Sequence, residues 1–502
     1  MQPSKRQQDI LDVWTSTDEN ILISAVAGSG KTTALMMLLE KCESRVLFVA
    51  FNKSIQAEIQ EKIDKKGLSQ GKAMTMHSLG LTAIKSTGKR ININANKNWD
   101  LLKKLQIANR GIYRHIAKED FNKVNYALMD IIDVSRMIVS DDLEEIKAYM
   151  ITMDKIIPDL EEIAILWEKL VELRDLTYEQ KVIDIDFLDM IYLPVIKDLE
   201  IPIYATYLFV DECQDLNIAQ HKLINKLLEQ ETLKKWIAVG DRNQAIYGFS
   251  GASSKSFDLF LERGNVREMP LDICYRCSTK IVEKANQVYD IMFPSPTAPE
   301  GIVDVETNIE DIKPDSMIIC RNTNPLFELY FRLLGAGKPC YINGKDIMTN
   351  LIKFIKPFMR DTIHSATLEM GYKFEDLAEK MNSEEGRIRY YIFKENYSNF
   401  ISIAKHVCEP LDSMETLVNK LKELFEIKEG AIMLCTIHKS KGLEADIVYI
   451  LNESTTIPSK FAKSSEQLKQ EKNLKYVART RAKKEMYFLN LTDSNTENLE
   501  DI

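Results

Sequence analysis

Long apolar runs are missing from this chain of 502 residues. The longest candidate, around Ile201 to Val210, falls well short of the ~18 residues of a membrane span. Met1 to Ile10 is polar and has no signal-peptide core, so a cytoplasmic address away from any membrane is expected. Cysteine is sparse: eight scattered residues exclude a disulfide framework, and reduced thiols are expected. Cys274 and Cys277 form a single CxxC, but zinc would want a second ligand pair at suitable spacing, and none is evident. An excess of positive charge is missing too. Lys plus Arg total 66 against 75 Asp plus Glu, a formal charge of −9, so any nucleic-acid surface has to be a local basic path. Repeats, low-complexity tracts and Gly/Ser linkers are also lacking.

What is present is an ordinary globular balance, 45% hydrophobic and 28% charged, over a length that suggests about three or four domains. Apolar β-type runs alternate with helical patterns, an α/β signature. A first block has runs at Ile21 to Val26, Val46 to Phe51, Leu208 to Val210 and Trp236 to Val239. A second has Met317 to Cys320, Ile432 to Cys435, Ile447 to Leu451 and Met486 to Leu489. Each run is short, apolar and bounded by polar or Gly punctuation, as buried parallel strands require, so two parallel sheets are expected. Helical spacing of Leu143, Ile146, Met150, Met153, Leu160, Ile163 and Trp167 marks an inserted helical region in the first block, and a similar interruption splits the second.

The strongest local signal is Ile21-Leu-Ile-Ser-Ala-Val-Ala-Gly-Ser-Gly-Lys-Thr32, followed by the helical Ala34 to Leu39. Strand, glycine loop and helix come in the order of a phosphate cradle. Ala27, Gly28, Ser29, Gly30, Lys31, Thr32 and Thr33 would wrap a nucleotide's phosphates, because a curled backbone points several N–H groups at the oxygens and the helix N-terminus adds positive potential. Lys31 would neutralise β/γ charge and Thr32 would ligate Mg²⁺. Ala25 stands where the general pattern has its first Gly, and a chance Gly-rich turn is the bland alternative. A second apolar run delivers Asp211 and Glu212 to a strand end, where Asp211 would hold the Mg²⁺ shell and Glu212 would activate the attacking water. Asp-Glu pairs alone are common and usually solvated; the preceding strand and the Gln214-Asp215 continuation favour function here.

Asp211-Glu-Cys-Gln-Asp215 together with Ala238-Val-Gly-Asp-Arg-Asn-Gln-Ala-Ile-Tyr-Gly-Phe-Ser-Gly-Ala252 resembles the UvrD/Rep-like group of superfamily 1 helicases. Leu271-Asp-Ile-Cys-Tyr-Arg-Cys-Ser278, Thr436-Ile-His-Lys-Ser-Lys-Gly-Leu-Glu444 and Leu474-Lys-Tyr-Val-Ala-Arg-Thr-Arg-Ala482 resemble that family's later motifs, in its order. The resemblance implies two RecA-like domains, each interrupted by a mainly helical insert, with ATP between them. Residues 1–96 and 181–265 would form domain 1A, 97–180 insert 1B, 266–346 and 429–491 domain 2A, 347–428 a short insert 2B, and 492–502 an acidic tail. It implies Gln7 at the adenine, Gln244 at the γ-phosphate, Tyr275 stacked on the base, Glu444 at the ribose, and Arg276 and Arg481 as arginine fingers. Phe51, Thr75, His77, Tyr247 and Phe249 would line a single-strand channel, with His438 and Lys439 as further contacts. Each aromatic taken singly also suits a core, and a lone His is usually structural. The basic stretch Lys472 to Lys484 is either a solvated face or a source of phosphate contacts beside Arg481.

The resemblance implies a DNA-dependent ATPase and helicase using ATP and Mg²⁺, moving 3′ to 5′ on single-stranded DNA and at single-strand/duplex junctions. It further implies a monomer as the minimal active form and replication or repair proteins as partners, with action at a nucleoid or, for a virus, in host cytoplasm. Rival readings are a translocase that strips proteins without unwinding, a non-hydrolysing nucleotide-dependent DNA scaffold, and a metabolic P-loop kinase. Three departures from the family pattern stand out: Ser250 where Arg is common, Cys274 where Asn is usual, and a loosely matching Asn52-Lys53.

Overall fold

A computed structural model describes residues 3–490 except 119, 154, 156, 159, 249, 250, 253, 254, 307, 382, 383 and 461. It divides into two compact units, Met1–Asp272 and Ile273–Ile502. The expected acidic tail, like Phe249 and Ser250, lies outside the described residues.

The first unit carries strands β1 (Asn20–Ala25), β2 (Val46–Ala50), β3 (Gly71–Thr75), β4 (Arg90–Ile93), β5 (Val182–Ile185), β6 (Tyr207–Val210), β7 (Lys235–Gly240) and β8 (Val266–Leu271). Six of them form one parallel sheet in the order β3-β2-β6-β7-β1-β8. Every residue of β2 and β7 is buried, because helices cover both faces and leave no side of the strand in water. Alternate residues then serve two cores. Ile21, Ile23, Phe48, Phe209 and Ile237 pack with Ile10, Trp14, Leu35 and Leu38, while Leu22, Leu47, Leu208, Val210 and Ala238 pack with Leu79, Leu223 and Ile224 on the other face.

The runs expected in the first block are β1, β2, β6 and β7. Missed by the pattern are the sheet's two edges, β3 and β8. Edge strands are covered less, so Val266-Arg-Glu-Met-Pro-Leu271 reads as polar, and Pro270 is tolerated there. β8 pairs in register with β1, ending at Ala25 opposite Leu271, and the first compact unit runs to Asp272.

Between β4 and β5, which pair with each other as a separate ribbon, runs a set of helices that includes Lys97–Ala108, Phe121–Ile138, Leu143–Thr152 and Glu161–Tyr178. They close over their own core of Leu101, Leu128, Ile131, Ile146, Met150, Ile163, Trp167 and Leu170. Their base is held by a buried carboxylate. Asp189 accepts from Lys97 Nζ at 2.5 Å, Arg136 at 3.0 Å and the Tyr178 hydroxyl at 2.5 Å. Burial pushes its carboxyl upward, yet Arg136 and Lys97 outweigh that and the pKa is lowered.

The second unit carries β9 (Ile273–Cys274), β10 (Phe293–Pro294), β11 (Ile302–Glu306), β12 (Met317–Cys320), β13 (Cys340–Ile342), β14 (Ile432–Thr436), β15 (Ala445–Leu451) and β16 (Ala482–Leu489). Six of these form a second parallel sheet, β11-β16-β15-β12-β14-β13. The chain is thus α/β with two parallel sheets in two units, as the alternating pattern predicts. Helices Lys345–Ile355, Ile363–Glu379, Glu384–Val407 and Met414–Leu424 run between β13 and β14. Their apolar residues Met370, Phe400, Ile403, Leu417 and Leu421 belong to one cluster with Ile318, Leu434 and Leu451 of the sheet. This segment therefore shares the sheet's core, unlike its helical counterpart in the first unit.

Candidate nucleotide and strand sites

The loop after β1 turns through Gly28 at φ 68° and Gly30 at φ 82° into the helix Lys31–Leu39, a left-handed path that only glycine takes without strain. A Cβ on Gly30 would lie 3.3 Å from Gln7 Nε2. Gln7 is buried in the helix Lys5–Ser16, where its Oε1 accepts from Ser4 N–H at 3.0 Å as part of a capping box. Its amide nitrogen is left facing the loop. Ser29 Oγ is buried with no hydrogen-bond partner among the described residues, and an orphaned polar atom inside a curl of backbone N–H groups fits an anionic guest.

Strand order explains how the carboxylates reach Lys31. β7 lies between β1 and β6, so Asp241 after β7 and Asp211 with Glu212 after β6 crowd the carboxyl edge beside the loop, where open α/β sheets bind ligands. Lys31 Nζ is 2.8 Å from Glu212 Oε2. Gln214 Nε2 donates to the same oxygen at 2.7 Å, and Gln214 Oε1 accepts from Asp241 N–H at 3.1 Å. A Cβ at Gly240 would sit 2.4 Å from that Oε1. Gln244 Nε2 donates to Asp241 Oδ2 at 3.0 Å. Glu212 itself has φ +50°, a left-handed conformation that non-glycine residues adopt at some expense and that recurs at functional sites. Its N–H donates to Asp211 Oδ1 at 2.9 Å, which supports the turn.

Burial is the largest influence on these charges. It lifts the Asp211 carboxyl to about 7, with the Glu212 charge adding to it, and lifts Asp241 to about 6. Burial opposes the Lys31 ammonium, but Glu212, Asp211 and Asp241 outweigh it and the pKa is raised. A pocket that raises buried acids is short of positive charge, which suits a cation. Among the described residues no group of three or more His, Cys, Asp or Glu is placed to hold a metal alone. Thr32 and Asp211 are the oxygen donors here that could hold a Mg²⁺ ion beside a bound phosphate.

In the second unit, Arg276 and Arg481 converge on Thr480. Arg276 NH1 donates to the Thr480 carbonyl at 3.3 Å, and Arg481 NH2 to Thr480 Oγ1 at 3.1 Å. Arg276 Nε also meets Glu444 at 2.6 Å, and Lys483 meets Glu444 at 2.7 Å. Arg481 is buried, with Nε on the Val477 carbonyl at 3.0 Å and NH1 on the Leu443 carbonyl at 3.3 Å. Tyr275 beside them is exposed. The basic stretch Lys472 to Lys484 is largely neutralised by acids distant in sequence. Arg479 pairs with Glu453 at 2.8 Å and Lys484 with Asp446 at 2.6 Å, while Lys472 lies over the Tyr289 ring.

Of the expected strand contacts, Phe51 and Tyr247 stack with centroids 5.8 Å apart and planes 12° apart. His77 meets Phe187 edge-on at 5.8 Å, and burial lowers its pKa. Thr75 caps the helix Met76–Ser86 by accepting from Ser78 N–H at 3.1 Å. Thr436 does the same for Lys439 N–H at 3.3 Å, so His77 and His438 occupy matching places, each two residues after a capping Thr that ends a strand. Burial, then Arg321 and Lys439, hold the His438 pKa down at about 3.

The family model for the UvrD/REP helicase N-terminal domain matches residues 5–263, and that for the UvrD-like helicase C-terminal domain matches residues 344–492. The chain belongs to the UvrD/Rep helicase family. Among curated relatives, the ATP-dependent DNA helicase Rep of Buchnera aphidicola subsp. Schizaphis graminum (strain Sg) is 23% identical over 93% of this chain and 90% of its own length. Rep of Buchnera aphidicola subsp. Baizongia pistaciae (strain Bp) is 27% identical over 53% of this chain and 40% of its own length. The ATP-dependent DNA helicase PcrA of Bacillus subtilis (strain 168) is 25% identical over 54% of this chain and 38% of its own. The chain thus spans only about two fifths of the latter two relatives' length. Gln214 and Asp241 join the Lys31–Glu212 cluster, although reading by motif gave neither a role of its own. The signal for Asp241 was present, since it follows the apolar β7 as Asp211 follows β6. No helix among the described residues is long and apolar enough to cross a membrane.

Proposed function

We propose that this chain is a DNA-stimulated ATPase and helicase that hydrolyses Mg-ATP to move 3′ to 5′ along single-stranded DNA and open duplexes. One observation carries the reading: Lys31 of the phosphate loop and the left-handed Glu212 meet at 2.8 Å inside a buried set of acids. Lys31 binds and neutralises the phosphates, Glu212 takes a proton from the attacking water, and Gln244, held on Asp241, orients the γ-phosphoryl group. Mg²⁺ held by Thr32 and Asp211 supplies charge neutralisation at the phosphoryl oxygens. Gln7 orients the adenine, and Tyr275 and Glu444 the base and ribose. Arg276 and Arg481 stabilise the charge that spreads over the γ-phosphoryl oxygens, which requires them to exchange Glu444 and the Leu443 and Val477 carbonyls for phosphate.

Phe51, Tyr247 and Phe249 stack unpaired bases, with Thr75, His77, His438 and Lys439 as polar contacts. In this reading the chain works in the cytoplasm as a monomer on single-strand/duplex junctions, with replication or repair proteins as partners. Residues 97–180 and 347–428 are its two inserts. The test is ATP turnover with and without single-stranded DNA, beside unwinding of 3′-tailed and 5′-tailed duplexes. Turnover stimulated by DNA with unwinding of the 3′-tailed duplex is expected. No stimulation, or preference for the 5′ tail, would overturn the activity or the polarity respectively.

A further inference from the structure

Behind the carboxylate site runs a chain of hydrogen bonds that the chemistry above does not use. Ser256 is buried, and its hydroxyl donates to the main-chain carbonyl of Cys213 at 2.5 Å. With that proton committed, the 2.7 Å contact to His221 has the ring Nε2–H donating to the Ser256 oxygen. His221 Nδ1 is then the bare nitrogen, and it accepts from an Arg263 guanidinium N–H at 3.1 Å. All the donors point one way, from Arg263 through His221 and Ser256 to Cys213.

A protonated ring would turn Nδ1 into a second donor facing a guanidinium, so this arrangement requires neutral imidazole. Burial, with Arg263 beside it, accordingly lowers the His221 pKa to about 3. The carbonyl at the end of the chain belongs to the residue between Glu212, with φ +50°, and Gln214, whose amide bridges Glu212 and the Asp241 N–H.

We propose that Ser256, held by His221 and Arg263, is a positioning residue for ATP hydrolysis: it clamps the Cys213 carbonyl and thereby fixes the direction in which Glu212 presents its carboxylate. The proposal rests on the ATPase reading above. Glu212 carries the water-activating oxygen on a strained turn, and without a fixed acceptor at Cys213 the turn has a second way to relax. A misplacement of about 1 Å at a reacting group can cost ~10²-fold in rate. Gly28 to Thr32 and Lys31 Nζ make none of these bonds, so nucleotide affinity does not depend on the clamp.

The test is Ser256→Ala in the full chain, with Ser256→Thr as the control that keeps a hydroxyl. With saturating single-stranded DNA, kcat for ATP in Ser256→Ala is expected to fall ~10- to ~100-fold. KM for ATP and the Kd of a fluorescent ADP analogue should stay within about twofold, the split that marks an interaction needed only in the transition state. Ser256→Thr is expected to retain most of the turnover. Where its extra methyl unfolds the chain, His221→Phe, which leaves the hydroxyl but strips its partner, replaces it and should give a smaller loss in the same parameter. Unchanged kcat in Ser256→Ala, or nucleotide binding lost in step with kcat, would overturn the proposal. If the unsubstituted chain turns over no ATP, the ATPase reading falls first and takes this inference with it. An active parent with an unaffected Ser256→Ala sinks this inference alone.

Discussion

Lys31 Nζ and Glu212 Oε2 lie 2.8 Å apart, although one belongs to the phosphate-binding loop and the other is assigned to the water. Each satisfies the other in a pocket where burial disfavours both charges. Binding a triphosphate has to draw the ammonium away, which frees the carboxylate for its proton. Glu212→Gln should therefore keep nucleotide affinity at or above the parent value while turnover falls ~10²- to ~10⁴-fold, the usual contribution of a general base. Lys31→Ala should lose both. Fluorescent-nucleotide titration beside phosphate release separates the two outcomes, and loss of affinity in Glu212→Gln would make that residue structural.

The Phe51 and Tyr247 rings stack at 12°, so they form one apolar plate contributed by the ends of β2 and the segment after β7. Removing either ring also loosens the other. Phe51→Ala and Tyr247→Ala should each weaken single-strand binding by ~1 to 3 kcal/mol per base lost, and the double variant should lose less than the sum. Fluorescence anisotropy with labelled oligonucleotides measures this. Phe249→Ala should lower DNA-stimulated turnover more than basal turnover, and an equal drop in both would assign that ring to the core.

The central strands were legible because burial on both faces makes them continuous apolar runs, as in Val46 to Ala50 and Lys235 to Gly240. Edges were not: β8 shows water half its length and reads like a loop. The phosphate loop was legible because backbone curvature dictates its glycines. The contacts of Gln214 were harder to read, since its bridge to Asp241 depends on β6 and β7 lying side by side, a topology that local pattern does not encode. Pairing of Lys475, Arg479, Lys483 and Lys484 with acids of other segments was hidden for the same reason.

His221 sets an acid limit on stability. Its folded pKa, about 3, lies below the unfolded value near 6.5. The unfolded chain therefore binds a proton that the native state refuses, so the stabilisation is complete above about pH 6.5 and is lost as pH falls from there toward 3. The slope from this one group is at most ~1.4 kcal/mol per pH unit. Over the same window the raised carboxyls of Asp211 and Asp241 take up protons in the native state and act in the opposite direction, while His438 acts in the same one. The His221 contribution is therefore read as a difference: the urea midpoint of His221→Asn relative to the parent should rise as pH falls from 7 to 5.

Asp189 joins the first and last helices of the 97–180 region, through Lys97 and Tyr178, and the helix Phe121–Ile138, through Arg136, to the helix Phe187–Ile196 that follows β5. Breaking a buried charge network by removing one partner typically costs ~3 to 5 kcal/mol, because the remaining ions stay buried and uncompensated. Asp189→Ala leaves two cations, Lys97 and Arg136, with only Asp186 and Asp133 to share. It should destabilise the first unit by that amount, measured as a lowered urea midpoint. Limited proteolysis should cleave first within 97–180, since its helices keep their own apolar core but lose the tie at their base. Asp189→Asn restores the shape and a hydrogen-bonding oxygen but not the charge, so a loss nearly as large as that of Asp189→Ala is expected. A near-native midpoint in Asp189→Asn would mean that packing, not ion pairing, holds this junction.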